Sequence, residues 1–308
     1  MSKPLTTVHA KDPLWRRSAA EMRRARSVAW AFARRDLQLR YAQTRMGWLW
    51  SLGQPLLAAA IVLIVFSWIV KVEAPQGLSY PLYAFAALPA WLMAQHILLQ
   101  GAPSLVHNQH IVSKIFFPRT ALPLSKAGVA LVDFSVATLM FWVYRGWTTG
   151  TWLEGLHWVL LFGGVGLCAA LGLAYWIAAL SVRYRDGLAL LPFLVQGLFL
   201  LTPIAYPTER FASALGDQSW LLYLNPFVGV ADGMRFGWLG LGNWNDYHLI
   251  SFGVAFGLFV TGTWALKAVE RTLIDDLSAC PLTSHFKPRG SPNAILAGAP
   301  SKAPTTGP

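Results

Sequence analysis

The residues of this sequence with the clearest chemical potential are arginines that stand beside a long apolar run. Arg34, Arg35, Arg40 and Arg45 precede residues 48–70, which carry no charge. A guanidinium group binds phosphate oxygens through paired hydrogen bonds, so this cluster predicts contact with an anionic lipid headgroup. The alternative is that the arginines bind no particular headgroup and only anchor a helix to the anionic surface of the membrane, which requires no special geometry.

The apolar runs that must position these groups predict an all-α integral membrane protein. The chain has 308 residues, of which 55% are hydrophobic and 13% are charged. Its mean hydropathy of +0.44 is too high for an ordinary soluble domain. A membrane span needs about 20 apolar residues. The sequence predicts six spans, at residues 48–70, 81–100, 127–144, 158–182, 188–206 and 249–266.

The distribution of charge predicts the orientation of these spans. If the N-terminus is cytoplasmic, 21 of the 25 Lys and Arg residues fall in cytoplasmic segments. The outer segments then hold only Lys71, Arg145, Arg210 and Arg235. This bias predicts that both termini are cytoplasmic. The net charge of +11 therefore reflects the orientation of the spans and does not indicate a nucleic-acid partner.

Three segments are expected along the chain. Residues 1–46 contain an amphipathic interface helix from Leu14 to about Arg45, because this stretch has no Pro and no Gly. Residues 47–270 form the six-span domain, and residues 271–308 form a cytoplasmic, largely disordered tail. The interface helix has two apolar stripes, one for the headgroup region and one for protein. One stripe holds Trp30, Ala33, Leu37 and Tyr41, and the other holds Val28, Phe32 and Leu39.

The stretch between the last two spans, residues 207–247, is too apolar for a free outer loop and too interrupted to cross. It predicts a re-entrant or interfacial helix pair. Within the spans, Asp133 is the one acidic residue. Intramembrane charges are often functional. Pairing with Lys126 or with an arginine of the interface helix is nevertheless preferred over substrate contact. His96, His107 and His110 have no carboxylate nearby in sequence, which argues against a proton-linked role.

The sequence also excludes several kinds of chemistry. It contains no phosphate-binding loop of the G-x-x-x-x-G-K-[ST] type, so no nucleotide site is expected in this chain. The two cysteines, Cys168 and Cys280, lie in different environments and have no metal-ligand spacing. No catalytic residue, no metal site and no cofactor are therefore predicted for the chain itself.

Seven motifs carry a resemblance to a known family. They are RDLQLRYAQTRMGWLWSLGQPLL (35–57), YPLYAFAALPAW (80–91), NQHIVSKIFFPRTALPL (108–124), LVDF (131–134), SVRYRD (181–186), PFLVQGLFLLTPIAYP (192–207) and LNPFVGVADGMR (224–235). In this order they resemble permease subunits of polysaccharide-exporting type-2 ABC transporters, which move O-antigen, capsule or teichoic-acid chains. The likeness covers roughly residues 30–275.

The resemblance implies a multi-pass, homodimeric permease in the inner membrane of a bacterium, with two copies of a separate ATPase that binds ATP and Mg²⁺. It implies that the inner loops dock on the ATPase through Asn108, Ile111, Lys114, Phe116, Phe117, Arg119, Arg183, Arg185 and Asp186. The outer gate would contain Asn225, Pro226, Phe227 and Arg235. Spans one and five would line the export path with aromatic rings, from Tyr41, Trp48, Trp50, Phe66, Trp68, Phe193, Phe199 and Tyr206.

The substrate that the resemblance implies is a lipid-linked polysaccharide, often with a pyrophosphate between glycan and lipid. Arg34, Arg35, Arg40 and Arg45 are then candidates to bind that anion at the inner leaflet. Other readings are a permease for a drug or small lipid, or a membrane enzyme that polymerises or ligates glycans. The enzyme reading is disfavoured because the outer charged residues are scattered among apolar stretches.

Overall fold

The computed structural model describes residues 14–42, 49–112, 117–152, 154–241 and 246–279. In these ranges the ordered elements are helices, and no strand occurs. They are α1 (Leu14–Ala42), α2 (Leu49–Val62) with a π-helix (Leu63–Ile69), α3 (Tyr80–His96) with a π-helix (Ile97–Gly101), α4 (Ser104–His107), α5 (Gln109–Val112), α6 (Ala121–Thr149), α7 (Leu156–Arg183), α8 (Gly187–Leu201), α9 (Glu209–Leu215), a 3₁₀-helix (Gly216–Leu224), α10 (Pro226–Leu239) and α11 (Tyr247–Ala279).

Five helices are long and apolar enough to cross a bilayer. These candidate spans are Ser51–Ile69, Tyr80–Gly101, Ala121–Thr149, Leu156–Arg183 and Tyr247–Val269. They coincide with predicted spans one, two, three, four and six. The third is longer at both ends than the predicted 127–144, because α6 carries Lys126 and Arg145 within its length. The chain is therefore a multi-pass membrane protein.

The predicted fifth span was too long. The helix in that region, α8, has 15 residues and ends at Leu201, so residues 202–206 are not helical. Thr202 adopts an extended backbone conformation, with φ −102° and ψ 125°. The reason is the following Pro203, whose ring disfavours the helical conformation in the residue before it. Six crossings therefore stay a prediction.

Helix α1 packs against α6 through small residues. Ala25, Ala29 and Ala33 are all less than 5% exposed, and a Cβ on Gly128 would lie 3.1 Å from the Ala33 Cβ. The predicted stripes were wrong in detail. Trp30 was placed on the same stripe as Ala33, yet its side chain is 67% exposed. Close approach of two helices selects alanine and glycine rather than large apolar residues, which hydropathy alone does not show.

Helix α3 is the central element of the first compact unit, residues 1–269. Of its candidate span, 72% is buried, against 17% for the span that contains α2. Helices α6, α7 and α10 surround it. Helices α7 and α11 meet at glycines, since a Cβ on Gly172 would lie 2.5 Å from the backbone carbon of Leu258. The second unit, residues 270–308, contains the last turns of α11 through Ala279.

Candidate functional site

One group of polar side chains joins the interface helix to the spans. The Nη1 of Arg40 on α1 donates a 2.7 Å hydrogen bond to Oδ2 of Asp133 on α6. Its Nη2 donates to the side-chain oxygen of Gln54 on α2. The Nδ1 of His96 on α3 lies 3.6 Å from the same Asp133 oxygen. We call Arg40, Gln54, His96 and Asp133 the inner polar cluster.

A second ion pair ties the same two helices. Lys126 on α6 donates a 2.7 Å hydrogen bond to Asp36 on α1, and Arg35 contacts the same carboxylate at 3.0 Å. The preferred pairing of Asp133 is thus confirmed, with an arginine of the interface helix rather than with Lys126. Charged side chains inside a membrane protein are costly without partners. Each of these two helices supplies partners for the charged residues of the other.

The predicted anion-binding arginines differ in their surroundings. Arg34 and Arg35 are exposed, and the Arg35 guanidinium lies 4.9 Å from the Phe32 ring. The Arg40 side chain is 20% exposed and already bound. Arg45 lies outside the described residues. Anion binding by these residues stays a prediction.

His96 is the member of the inner polar cluster that the sequence analysis undervalued. It stands 37 positions from Asp133 along the chain, so no local motif joins them. The packing of α3 against α6 brings the two side chains together. Asp133 Oδ1 is buried and has no hydrogen-bond partner among the described residues. In that part of the chain, His, Cys, Asp and Glu side chains form no group of three that could hold a metal ion.

The predicted channel aromatics divide into two classes. Trp68 and Phe193 are 74% and 75% exposed. Phe66, Phe199 and Tyr206 are half-buried: Phe199 lies 5.5 Å from Trp91, and Tyr206 lies 6.5 Å from Phe66. Tyr41 and Trp50 belong to α1 and α2, while Trp48 lies outside the described residues. Among the members of this set whose side chains the structure describes, Trp68 and Phe193 are therefore the two that are free to contact another chain, lipid or a substrate.

The two predicted ATPase-coupling segments contact each other. Arg185 Nη2 donates a 3.3 Å hydrogen bond to the side-chain oxygen of Gln109 on α5. Asn108 binds the Ser104 carbonyl at 2.8 Å and ends α4, and Ile111 is half-buried on α5.

The remaining coupling candidates have varied surroundings. Arg183 and Asp186 are exposed, and Arg119 is partly exposed. Phe117 packs on Phe32 of α1, with ring centroids 5.8 Å apart. Lys114 and Phe116 lie outside the described residues. Docking of an ATPase at these segments stays a prediction.

The predicted outer-gate residues begin a buried helix. Asn225 caps α10, because its side-chain oxygen accepts a 3.1 Å hydrogen bond from the Phe227 amide. Pro226 occupies the first helical position, where its missing N–H costs nothing. Asn225 Nδ2 also donates to Thr202 at 3.0 Å, at the end of α8. Phe227 lies edge-on to Trp91 of α3, at 5.9 Å.

Arg235, on the same helix, is buried. Its side chain is 3% exposed, its Nη2 donates to the Ile204 carbonyl at 2.7 Å, and its guanidinium lies 4.0 Å from the Tyr83 ring. Asp232, one turn earlier, accepts hydrogen bonds from Thr208 at 2.5 Å and Tyr223 at 3.1 Å. Burial raises the pKa of the Asp232 carboxyl above its usual range. These buried contacts join α10 to residues 202–208.

Comparison with known proteins gives a consistent family assignment. The ABC-2 type transporter family matches residues 27–239. The chain is 27% identical over 217 residues to the O-antigen export system permease protein RfbA of Myxococcus xanthus, a match that covers 70% of this chain and 81% of the relative. It is 26% identical over 200 residues to a protein of the same name from Klebsiella pneumoniae, covering 64% and 74%. The family match includes α10 and every residue of the inner polar cluster. On this basis the chain belongs to the ABC-2 type transporter family.

Proposed function

We propose that this chain is the permease subunit of an ATP-driven exporter that moves a lipid-linked polysaccharide across the cytoplasmic membrane, with O-antigen as the favoured substrate. The proposed substrate class is supported by the similarity to two O-antigen export permeases over most of their length. ATP and Mg²⁺ would bind to a separate ATPase, since the chain has no phosphate-binding loop.

The assembly we propose is a homodimer with two ATPase subunits. Support comes from the uneven burial of the helices. The span that contains α2 is only 17% buried within the chain, and α8 exposes Leu190, Phe193 and Leu194 by at least 60%. Apolar faces of this kind suit a second copy of the chain or lipid. We place the dimer seam and the export path at α2 and α8.

The proposed entry site is on the inner side, beside the start of α2. The exposed Arg34 and Arg35 supply positive charge at headgroup depth, and Arg40 stands next to Gln54 on α2. Guanidinium groups suit a pyrophosphate because they donate pairs of hydrogen bonds to its oxygens. The ATPase would act through residues 108–119 and 183–186, which the Arg185–Gln109 contact joins.

A clean deletion of the gene tests the proposed function. Finished polysaccharide should accumulate in the cytoplasm of the deletion strain and disappear from the surface, and a plasmid copy should restore it. Antibody staining of intact and permeabilised cells separates the two locations. Undiminished surface polymer in the deletion strain would overturn the proposal. Undiminished synthesis with no export would also exclude the glycan polymerase reading.

A further inference from the structure

A cavity of about 430 Å³ lies at the C-terminal end of α6, away from the inner polar cluster near the middle of that helix. Arg145, which lines it, follows Asp133 by 12 residues, or about 18 Å along the helix. The walls come from the end of α6, the start of α7 and the end of α10. We define the outer pocket by Arg145, Thr149, Thr151, Glu154, Trp158 and Trp238. Its volume is in the range of small-molecule sites.

Two buried donors of the outer pocket lack adequate partners. Arg145 is 5% exposed, and its side chain contacts the Glu154 carbonyl at 3.3 Å, the Glu154 carboxylate at 3.7 Å and the Trp238 ring, whose centre lies 5.8 Å from the guanidinium carbon. That carboxylate belongs to a side chain that is 77% exposed. The Trp238 Nε1–H is buried without a hydrogen-bond partner among the described residues. Unmade hydrogen bonds of buried groups are costly, so the pocket favours a ligand that brings acceptor atoms.

The remaining side chains decide the class of that ligand. Glu154 balances the charge of Arg145, which disfavours an anion beside it. The Thr149 hydroxyl donates to the Arg145 carbonyl at 2.9 Å and lies 2.7 Å from the Thr151 hydroxyl, so both oxygens retain lone pairs that can accept from a ligand. Trp158 and the neighbouring His157 add aromatic surface to the wall. A neutral polyhydroxyl ring fits this mixture, since its hydroxyls accept from Arg145 and Trp238 and donate to Glu154.

We propose that the outer pocket binds a neutral sugar residue, as a holding point for the glycan on the outer side of the membrane. The position of the pocket, at the end away from α1, supports this assignment. The role in export rests on the proposed function, whereas sugar binding itself can be measured independently.

The test uses the full-length permease in lipid nanodiscs, with methyl glycosides of glucose, galactose and mannose as probes. Saturation-transfer difference NMR should detect at least one glycoside binding with a millimolar Kd, and polyethylene glycol should give no signal. Trp238→Phe removes the Nε1–H and keeps a ring, and we expect Kd to rise about 3- to 10-fold, as for the loss of one hydrogen bond. Thr149→Val should have a similar effect.

Each variant has a matched control on α6. Trp147 is 86% exposed and Thr148 is the exposed neighbour of Thr149, and neither lines the outer pocket. Trp147→Phe and Thr148→Val should therefore bind sugar like the wild type. The proposal is overturned if no glycoside binds, if Thr149→Val binds like the wild type, or if inorganic phosphate displaces the sugar. An absence of sugar binding together with lost export in the deletion strain would refute the outer pocket alone. Sugar binding together with normal export in that strain would refute only the proposed function.

Discussion

The Arg40–Asp133 pair can be tested by exchanging its charges. Both side chains are about one-fifth exposed, at 20% and 18%, and the ion pair is 2.7 Å long. Exposed pairs contribute up to about 1 kcal/mol, and removing one partner of a buried pair costs about 3 to 5 kcal/mol. For a partly buried pair, Arg40→Asp or Asp133→Arg alone should lower the free energy of unfolding by about 1 to 3 kcal/mol.

The double exchange Arg40→Asp with Asp133→Arg should recover part of this loss, because opposite charges again face each other. Recovery will be incomplete, since the new arginine at position 133 meets His96, whose Nδ1 is 3.6 Å from the present carboxylate oxygen. Unfolding by SDS in mixed micelles gives the free energies, and immunoblotting gives the membrane level. A double variant no more stable than the average single variant would refute a direct coupling.

The same variant separates a structural tie from an anion site. If Arg40 also binds the lipid-linked anion, the double exchange should restore the membrane level but not surface polysaccharide, because the guanidinium has moved from α1 to α6. Lys126 and Asp36 provide the control, as they join the same helices at 2.7 Å with similar exposure. Their exchange should restore both stability and export. Full export by the Arg40–Asp133 exchange variant would show that Arg40 only joins α1 to α6 and does not bind the anion.

Three further predictions concern the fold around the proposed sites. Gly172→Leu should abolish the folded monodisperse peak in size-exclusion chromatography, because its Cβ would lie 2.5 Å from the Leu258 backbone, whereas Gly164→Leu should not, since no atom lies within 4 Å there. Asn225→Ala should lower the free energy of unfolding by about 1 kcal/mol through loss of the α10 cap, while Asn225→Asp should lose less because it retains the acceptor for the Phe227 amide; equal losses would contradict the capping role. Burial raises the pKa of Asp232, so the folded state holds its proton more tightly and stability falls as the pH rises from about 3.9 through the raised value. Thermal unfolding of Asp232→Asn should therefore depend less on pH above about pH 4 than that of the wild type, and an unchanged pH dependence would contradict this assignment.

Much of the fold follows from the sequence, because the length of each apolar run predicts the length of the helix that it forms. The five candidate spans coincide with predicted ones because each apolar run carries few charges. The end of α8 was also encoded, in Thr202 and Pro203, but the apolar residues that follow concealed it. Asn225 and Pro226 similarly encode the start of α10, as a cap and a first helical position.

The side-chain partners were less predictable, because they depend on how helices pack. Arg40 and Asp133 are 93 positions apart, and a sequence shows only that each needs a partner. The small-residue face of α1 was missed for a related reason: Ala25, Ala29 and Ala33 are modest in hydropathy and matter because they allow close approach. Trp238 lies in an apolar stretch, and its role as an unpaired donor depends on burial.

Asp133 and Arg145, both on α6, show how the surroundings of a charged residue decide whether it stabilises the fold or can bind a ligand. Asp133 has an arginine at 2.7 Å and a histidine at 3.6 Å, both from helices that pack on α6. The charge of Asp133 is therefore balanced by groups of the protein itself, although its Oδ1 accepts no hydrogen bond from the described residues. Arg145 is more buried, and its counter-charge is a solvent-exposed carboxylate 3.7 Å away. A ligand that completes its hydrogen bonds gains more there. Asp133 therefore serves mainly to join helices, and Arg145, near the C-terminal end of α6, retains capacity for binding.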